Sequence, residues 1–476
     1  MNSVRSMAEA LAEFAAGVRP ADLPSAVRQV AAERLVDTVG VILAAVGHPV
    51  PTAVLRATAP KRYEGSATVL GEPRTTTEES AALANGVMAH CLELDDEHHE
   101  MLGHPGAVCV PACLAVAETT GASGPDFLAA VVVSYEVACR VGMAFGPNTL
   151  YARGFHPTGV CGTFGAAAGA GRLLGLRPPQ LVHALGIAGS LTGSIMEFVQ
   201  DGSLTKPLHP GWAARAGVAA ARLAAEGLTG PRTVFEGESG VLRAFGEDQS
   251  GVAAAIEGLG RDYELLNVAT KPYACCSFIH AAIDAAADIR EEALPAPEDI
   301  EEVLVDLHSA AMWLVGRPVP RKLGPETVVD AQFSVYFGVA GTLVYGVDRA
   351  NLDPLLELFQ AERLRQRPIA DMAAKVKVQI DPALDRFYPR SYPARVQVRL
   401  RGGRLLRAEA RSHRGDPSIP GGRFSLEQLS RRFLRLTGPR IGAEAARGAL
   451  AALVAIEEAG DIRDVTRRLQ SGEHRI

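Results

Sequence analysis

The chain has 476 residues, 47% hydrophobic and 21% charged, with a formal net charge of −6. This is the balance of an ordinary globular protein, long enough for two domains or one domain carrying an insertion. The charge offers no electrostatic case for nucleic acid or an anionic membrane, so neither is expected as a partner.

Taken in chain order, "MNSVRSMAEALAEFAAGVRP" predicts an amphipathic helix and not a secretory signal, because Glu9 and Glu13 interrupt it. "RLVDTVGVILAAVG" contains Asp37, and "FLAAVVVSYEVACRVGMAF" contains Glu136 and Arg140. Both fall short of a clean membrane span and predict buried core helices. Between them, "EESAALANGVMAHCLEL" repeats its apolar residues at three and four. It runs into "CLELDDEHHEMLGHPG", residues 91–106, which packs Glu93, Asp95, Asp96, Glu97 and Glu100 beside His98, His99 and His104. By residue type this stretch is a metal site, a proton-transfer site or a solvated acidic turn. A zinc helix would need the HExxH spacing, which is missing, and adjacent histidines on a helix diverge by about a hundred degrees. A magnesium–diphosphate reading of "DDEHHE" lacks a second metal motif. It also lacks the aromatic walls a carbocation needs, since aromatic residues are 5%.

"GFHPTG" next sets His156 in a Gly/Pro-bounded loop. "GTFGAAAGAGRLLGL" (162–176) invites a dinucleotide reading, but Leu174 stands where the third glycine should fall and no strand precedes it, so it predicts a close-packed helix. "LTKPLHPGWAA" places Lys206 and His209 just before a helix, whose N-terminal N–H groups favour an anion. That helix is expected to end at Gly227. "TKPYACCSFIHAAID" sets Lys271 and His280 where the texture of the chain changes. Singly, each of these residues reads as surface or cap. Together, three loops with His or Lys beside Gly or Pro suggest a polyanionic small molecule.

"IEEVLVDLHSA", "KVKVQID" and "ARVQVRLRGGRLLRAEA" alternate with period two, the last broken by Gly402-Gly403 in the manner of a tight hairpin. "PETVVDAQFSVYFGVAGTLVYG" between them predicts a helix. After "GDPSIPGGRFS" the helical texture returns, with a Ser N-cap opening "SLEQLSRRFLRLTG". The expected fold is mainly α: a large all-α domain built from residues 1–265 and 425–476, with a smaller α+β lid domain inserted at 266–424. The seven cysteines (Cys91, Cys109, Cys113, Cys139, Cys161, Cys275 and Cys276) are odd in number and sit in apolar surroundings, which predicts reduced thiols and a cytoplasmic location.

The run "ANGVMAHCLELDDEHHEMLGHPGAVCVPACLAVAE" resembles the MmgE/PrpD family, which includes 2-methylcitrate dehydratase, cis-aconitate decarboxylase and iminodisuccinate epimerase. The family pattern N-G-x-x-A-H-x-L-D-x-D-D, followed by H-P, stands here as Asn85-Gly86 through His90, Asp95-Asp96 and His104-Pro105. The similarity continues in "GFHPTGVCGTFGAAAGAGRLLGL", "SLTKPLHPGWAARAGVAAARLAAEGLTGP", "KPYACCSFIHAAIDAA", "PETVVDAQFSVYFGVA" and "HRGDPSIP", in order over nearly the whole chain.

The resemblance implies an active site between the helical domain and the lid, a homodimer, and no metal or organic cofactor. It implies catalytic roles for His104, His156, Asp95 and Glu93. Lys206, Lys271 and Asp96 would bind a small-molecule polycarboxylate. Proton movement next to a carboxylate builds up negative charge, which the two lysines would hold. The histidines would move the proton, with Asp95 or Glu93 orienting one of them. Three positions depart from the pattern. Glu93 replaces the usual Asp, and Cys276 and Leu314 stand where the decarboxylases carry His and Tyr. The last two count against cis-aconitate decarboxylation. A dehydratase of a 2-methylcitrate-like acid is the expectation, with an epimerase of an iminodisuccinate-like dicarboxylate as the alternative.

Overall fold

A computed structural model describes residues 5–58, 65–246 and 248–470. The first four residues of the N-terminal run and the last six of the chain lie outside it. The protein is mainly helical, with small sheets.

The local signals explain the helix ends. Ser6 and Glu9 form a capping box at helix Met7–Gly17, and Ser425 and Gln428 form another at helix Leu426–Ile441. Helix Leu208–Ala225 stops before Gly227, whose φ is +92°. Both apolar runs are core helices. Ser25–Ala44 is buried through its second half, and Gly124–Phe145 is buried over 94% of its most apolar window, although by length and composition it could cross a membrane.

The Gly-rich run forms helix Pro157–Leu173, and its glycines are there for contact. A Cβ on Gly165 would come within 2.5 Å of the Ser134 carbonyl oxygen, and one on Gly217 of the facing helix Leu208–Ala225 within 2.7 Å of the Ala167 backbone nitrogen. Helices Pro157–Leu173, Gly124–Phe145 and Leu208–Ala225 therefore meet backbone to backbone.

The four-stranded sheet sets Ile300–Leu307 parallel to Val376–Ile380 and antiparallel to Ala394–Leu400, which pairs with Leu405–Ala410. The hairpin turns at Gly402 and Gly403, with φ of +88° and +85°. The helix expected over 325–346 is two helices, Val328–Gln332 and Val335–Tyr345, because the Ser334 hydroxyl caps the second.

One hydrophobic cluster draws on residues from Met7 to Val268 and again from Phe424 to Leu469. A second runs mainly from Tyr273 to Val398 and also takes in Leu94, Leu102, Met196 and Phe198. Leu94 and Leu102 belong to the 91–106 stretch, which is therefore one of the places where the two clusters meet.

Candidate active site

Helix Glu78–His90 delivers the 91–106 stretch into the interior. Nothing in its centre is solvated: Asp95 and Asp96 are each 1% exposed and His98 is 2% exposed. The acidic-turn reading is therefore replaced by a buried polar cluster. Glu93 and Leu102 both adopt left-handed backbone, with φ of +52° and +55°. Side chains other than Gly pay about 1–2 kcal/mol for that conformation. Both line the same cavity, so the strain sits where the loop turns its side chains inward.

Glu93 is clamped by two cations. Lys206 Nζ donates to Oε1, and Lys271 Nζ lies 3.3 Å from Oε2. Lys271 also reaches Asp95 Oδ1 at 3.5 Å and is fully buried. Burial by itself would raise the Glu93 pKa, but Lys206 and then Lys271 overrule it and hold the carboxylate well below its usual range. Asp95 is likewise lowered: against burial, His90 first and Lys271 next favour its charge. The lysines differ. Burial lowers the Lys206 pKa, whereas Glu93 and Asp95 overcome burial at Lys271 and raise it. Lys206 is thus the more readily deprotonated of the two.

Three imidazoles gather beside the clamp. His90 Nδ1 is 2.6 Å from Asp95 Oδ2, and its ring lies 5.0 Å from that of His104 and 5.9 Å from that of His156. His104 Nδ1 is 2.8 Å from the Asp96 carbonyl oxygen, a contact that needs the proton on Nδ1 and leaves Nε2 as a free acceptor. Burial, reinforced by Lys271, pushes the His104 pKa down to about 3, so it is neutral at physiological pH. His156 caps the backbone of helix Pro157–Leu173 only by position, because its side chain makes no cap bond. Its Nδ1 instead meets His209 Nδ1 at 3.1 Å, and Nε2 is buried without a hydrogen-bond partner. Burial holds His156 well below its ordinary pKa.

Glu93, Glu97, His104, Lys206 and Cys276 face a cavity of about 30 Å³, closed by Leu102, Met196, Phe278, Leu314, Phe333 and Tyr392. Six of the seven expected residues (Glu93, Asp95, His104, His156, Lys206 and Lys271) are in or directly behind this wall. Asp96 is the exception. Its carboxylate accepts from Tyr135 Oη at 2.6 Å and from the Gly106 N–H at 2.8 Å, which anchors the start of helix Gly106–Thr120. Burial raises its pKa to about 7. Asp96 is thus engaged by the scaffold and does not line the cavity.

Three further residues shape the site. His90 was visible within the family pattern but not among the expected site residues. Glu97 lines the cavity while bonding His413 Nε2 at 2.8 Å and His99 Nε2 at 3.3 Å. Arg432, far away in sequence, donates to the Lys271 carbonyl at 2.7 Å and the Leu94 carbonyl at 3.0 Å, tying the two charged segments together. No sequence signal marks Arg432, which reads as an ordinary helix-surface residue. His98 and His99 turn to Glu264 and Glu97 respectively, from a short strand, Glu97–His98, and the turn after it and not from the helix on which the hundred-degree argument rested. A metal could instead be held by His90, His104 and His156, whose candidate ligand nitrogens lie within 4.8 Å of one another.

Buried lysines, carboxylates and neutral imidazoles around one cavity make the class of site that binds an anion and moves protons. The MmgE/PrpD N-terminal domain model matches residues 9–251, and the MmgE/PrpD C-terminal domain model matches residues 273–458. The chain belongs to the MmgE/PrpD family. It is 31% identical over 356 residues to the cis-aconitate decarboxylase-like protein oryM of Aspergillus oryzae, covering 71% of this chain and 73% of that one. It is 31% identical to human cis-aconitate decarboxylase, over 67% of each chain. The mouse cis-aconitate decarboxylase is 26% identical over 98% of this chain and 94% of its own.

Proposed function

We propose that this protein is a lyase that moves a proton at the carbon next to a carboxylate of a small polycarboxylate, most simply as a dehydratase of a 2-methylcitrate-like acid. The observation that carries this reading is the clamp of Lys206 and Lys271 on Glu93 beside a neutral His104. Substrate carboxylates would take over the lysine contacts that Glu93 and Asp95 hold. His104 Nε2 accepts the α-proton, a carbon–carbon double bond forms, and the hydroxyl leaves as water with a proton from Lys206. The lid expected at 266–424, the homodimer, the cytoplasmic location and cofactor independence belong to the same proposal.

The relatives' names favour a second reading, decarboxylation of cis-aconitate. Cys276 and Leu314 weigh against it, because both line the cavity at the two positions where a His and a Tyr are expected in decarboxylases. The His90, His104 and His156 cluster favours a third, a metal-assisted reaction.

Proton NMR in D₂O on EDTA-treated protein separates these readings, using 2-methylcitrate, citrate, cis-aconitate and iminodisuccinate. Water loss supports the dehydratase, loss of carbon dioxide the decarboxylase, and α-proton exchange without net loss the epimerase. Activity recovered only with a divalent ion supports the metal reading. Silence throughout, with folded protein, would refute the proposal.

A further inference from the structure

The polar cavity, about 30 Å³, has room for little more than one water and cannot hold a polycarboxylate without a wall giving way. A second cavity, about 300 Å³, lies against it. Tyr151, Phe278 and Leu314 line both, and Ala152, Ala310 and Trp313 complete most of the outer chamber. Among the described residues its lining carries no charged side chain, and its polar members, Asn148 and Ser309, are bonded to Tyr388 and Asp385. The Tyr151 hydroxyl is already bonded to the Leu102 carbonyl, at 3.1 Å, so its ring is what the chamber receives. Trp313, 48% exposed, stands beside Leu314 on a π-helical turn, Met312–Gly316, an irregular geometry frequent at functional sites. A larger cavity, about 470 Å³, also touches Glu93 and Lys206; most of its lining is apolar, but unlike the outer chamber it also takes in the charged side chains of Glu362 and Arg440.

We propose that the outer chamber binds an apolar chain carried by the substrate, so that the natural substrate is an alkylated polycarboxylate with its charged head at the lysines and its tail along Phe278, Leu314 and Trp313. This rests on the polycarboxylate reading above and narrows its substrate class. The geometry supports it in two ways. The wall shared with the outer chamber is made of Tyr151, Phe278 and Leu314 and has no charged side chain behind it, so displacing Leu314 opens room without burying a charge. At about 300 Å³ the chamber also has the volume for several methylenes, and each one buried contributes roughly a fourfold gain in affinity.

The test is a series of citrates bearing methyl, butyl and hexyl groups at the carbon that carries the substituent in 2-methylcitrate, assayed with wild type and Ala310→Trp. In parallel, hexylsuccinate and succinate are titrated into Trp212→Phe protein, where Trp313 is the remaining tryptophan. The expected result is kcat/KM rising roughly fourfold per methylene. Ala310→Trp should abolish that rise while leaving the methyl compound unaffected. The Trp313 emission should shift with hexylsuccinate and not with succinate. Turnover of the methyl compound with no gain along the series would overturn the inference and leave the polycarboxylate reading standing. So would a gain that Ala310→Trp leaves intact. If no compound turns over, the fluorescence decides. A shift specific to hexylsuccinate supports the chamber while the proposed reaction fails, and no shift overturns both.

Discussion

Replacing Lys271 by Met keeps the volume of a fully buried side chain and removes its charge. Nζ sits 3.3 Å from Glu93 Oε2 and 3.5 Å from Asp95 Oδ1. At an effective dielectric near 20, each contact is worth about 5 kcal/mol of Coulomb attraction. Desolvating the lysine offsets much of that sum, so the expected net loss is about 3–5 kcal/mol, as for other buried pairs broken on one side. The sign of its pH dependence follows from the carboxylates. Glu93 and Asp95 are held below their ordinary values, so their stabilisation is present above about pH 4 and is lost as pH falls through the lower folded values. Without Lys271, burial acts on them with less opposition and their pKa values rise. The variant should therefore be most destabilised near pH 8 and less so near pH 5. Urea unfolding at the two pH values measures this. On a substrate that is turned over, kcat/KM should fall by roughly 100-fold or more, as when a charge-stabilising donor is lost. A loss below about 1 kcal/mol, equal at both pH values, would refute the claim that Lys271 neutralises these two carboxylates.

Asp96→Asn should flatten the pH dependence of stability. The Asp96 pKa is raised to about 7, so its favourable contribution is complete below about pH 4 and lost as pH rises through 7. The variant should gain on wild type by a few kcal/mol between pH 4 and pH 8, and parallel unfolding curves would disprove the assignment. His104, pushed to about 3, should leave kcat/KM without an acid limb between pH 5 and 7. A limb near 6.5 that disappears in His104→Gln would contradict its neutral state. His156→Gln should cost roughly 10²–10⁴ in kcat if it moves a proton, whereas a loss below tenfold would make it a packing residue. Glu93→Asp withdraws the carboxylate from Lys206 by one methylene and should change the preference among the assayed acids. Unchanged activity and preference would deny the longer side chain any role in specificity.

The sequence by itself determined the local structure. Period-two alternation marked the strands of the sheet, Gly402-Gly403 marked their hairpin, and the Ser425 cap marked the helix that follows, because these signals act between neighbours in the chain. The family resemblance pointed to Glu93, Asp95, Asp96, His104, His156, Lys206 and Lys271 as candidates. Tertiary structure alone decided what each group does, since protonation and burial depend on partners that the chain brings from far away. Asp95 and Asp96 are adjacent and chemically identical. One meets Lys271, 176 positions on, and stays charged, while the other meets Tyr135 and Gly106 and has its pKa raised to about 7. Arg432 reads as a surface residue until helix Leu426–Ile441 packs back and turns it onto the carbonyls of Leu94 and Lys271. The apolar chamber beside the charged cavity is of the same kind. Tyr151, Phe278 and Trp313 carry no joint pattern in sequence, and only packing sets their faces around one space.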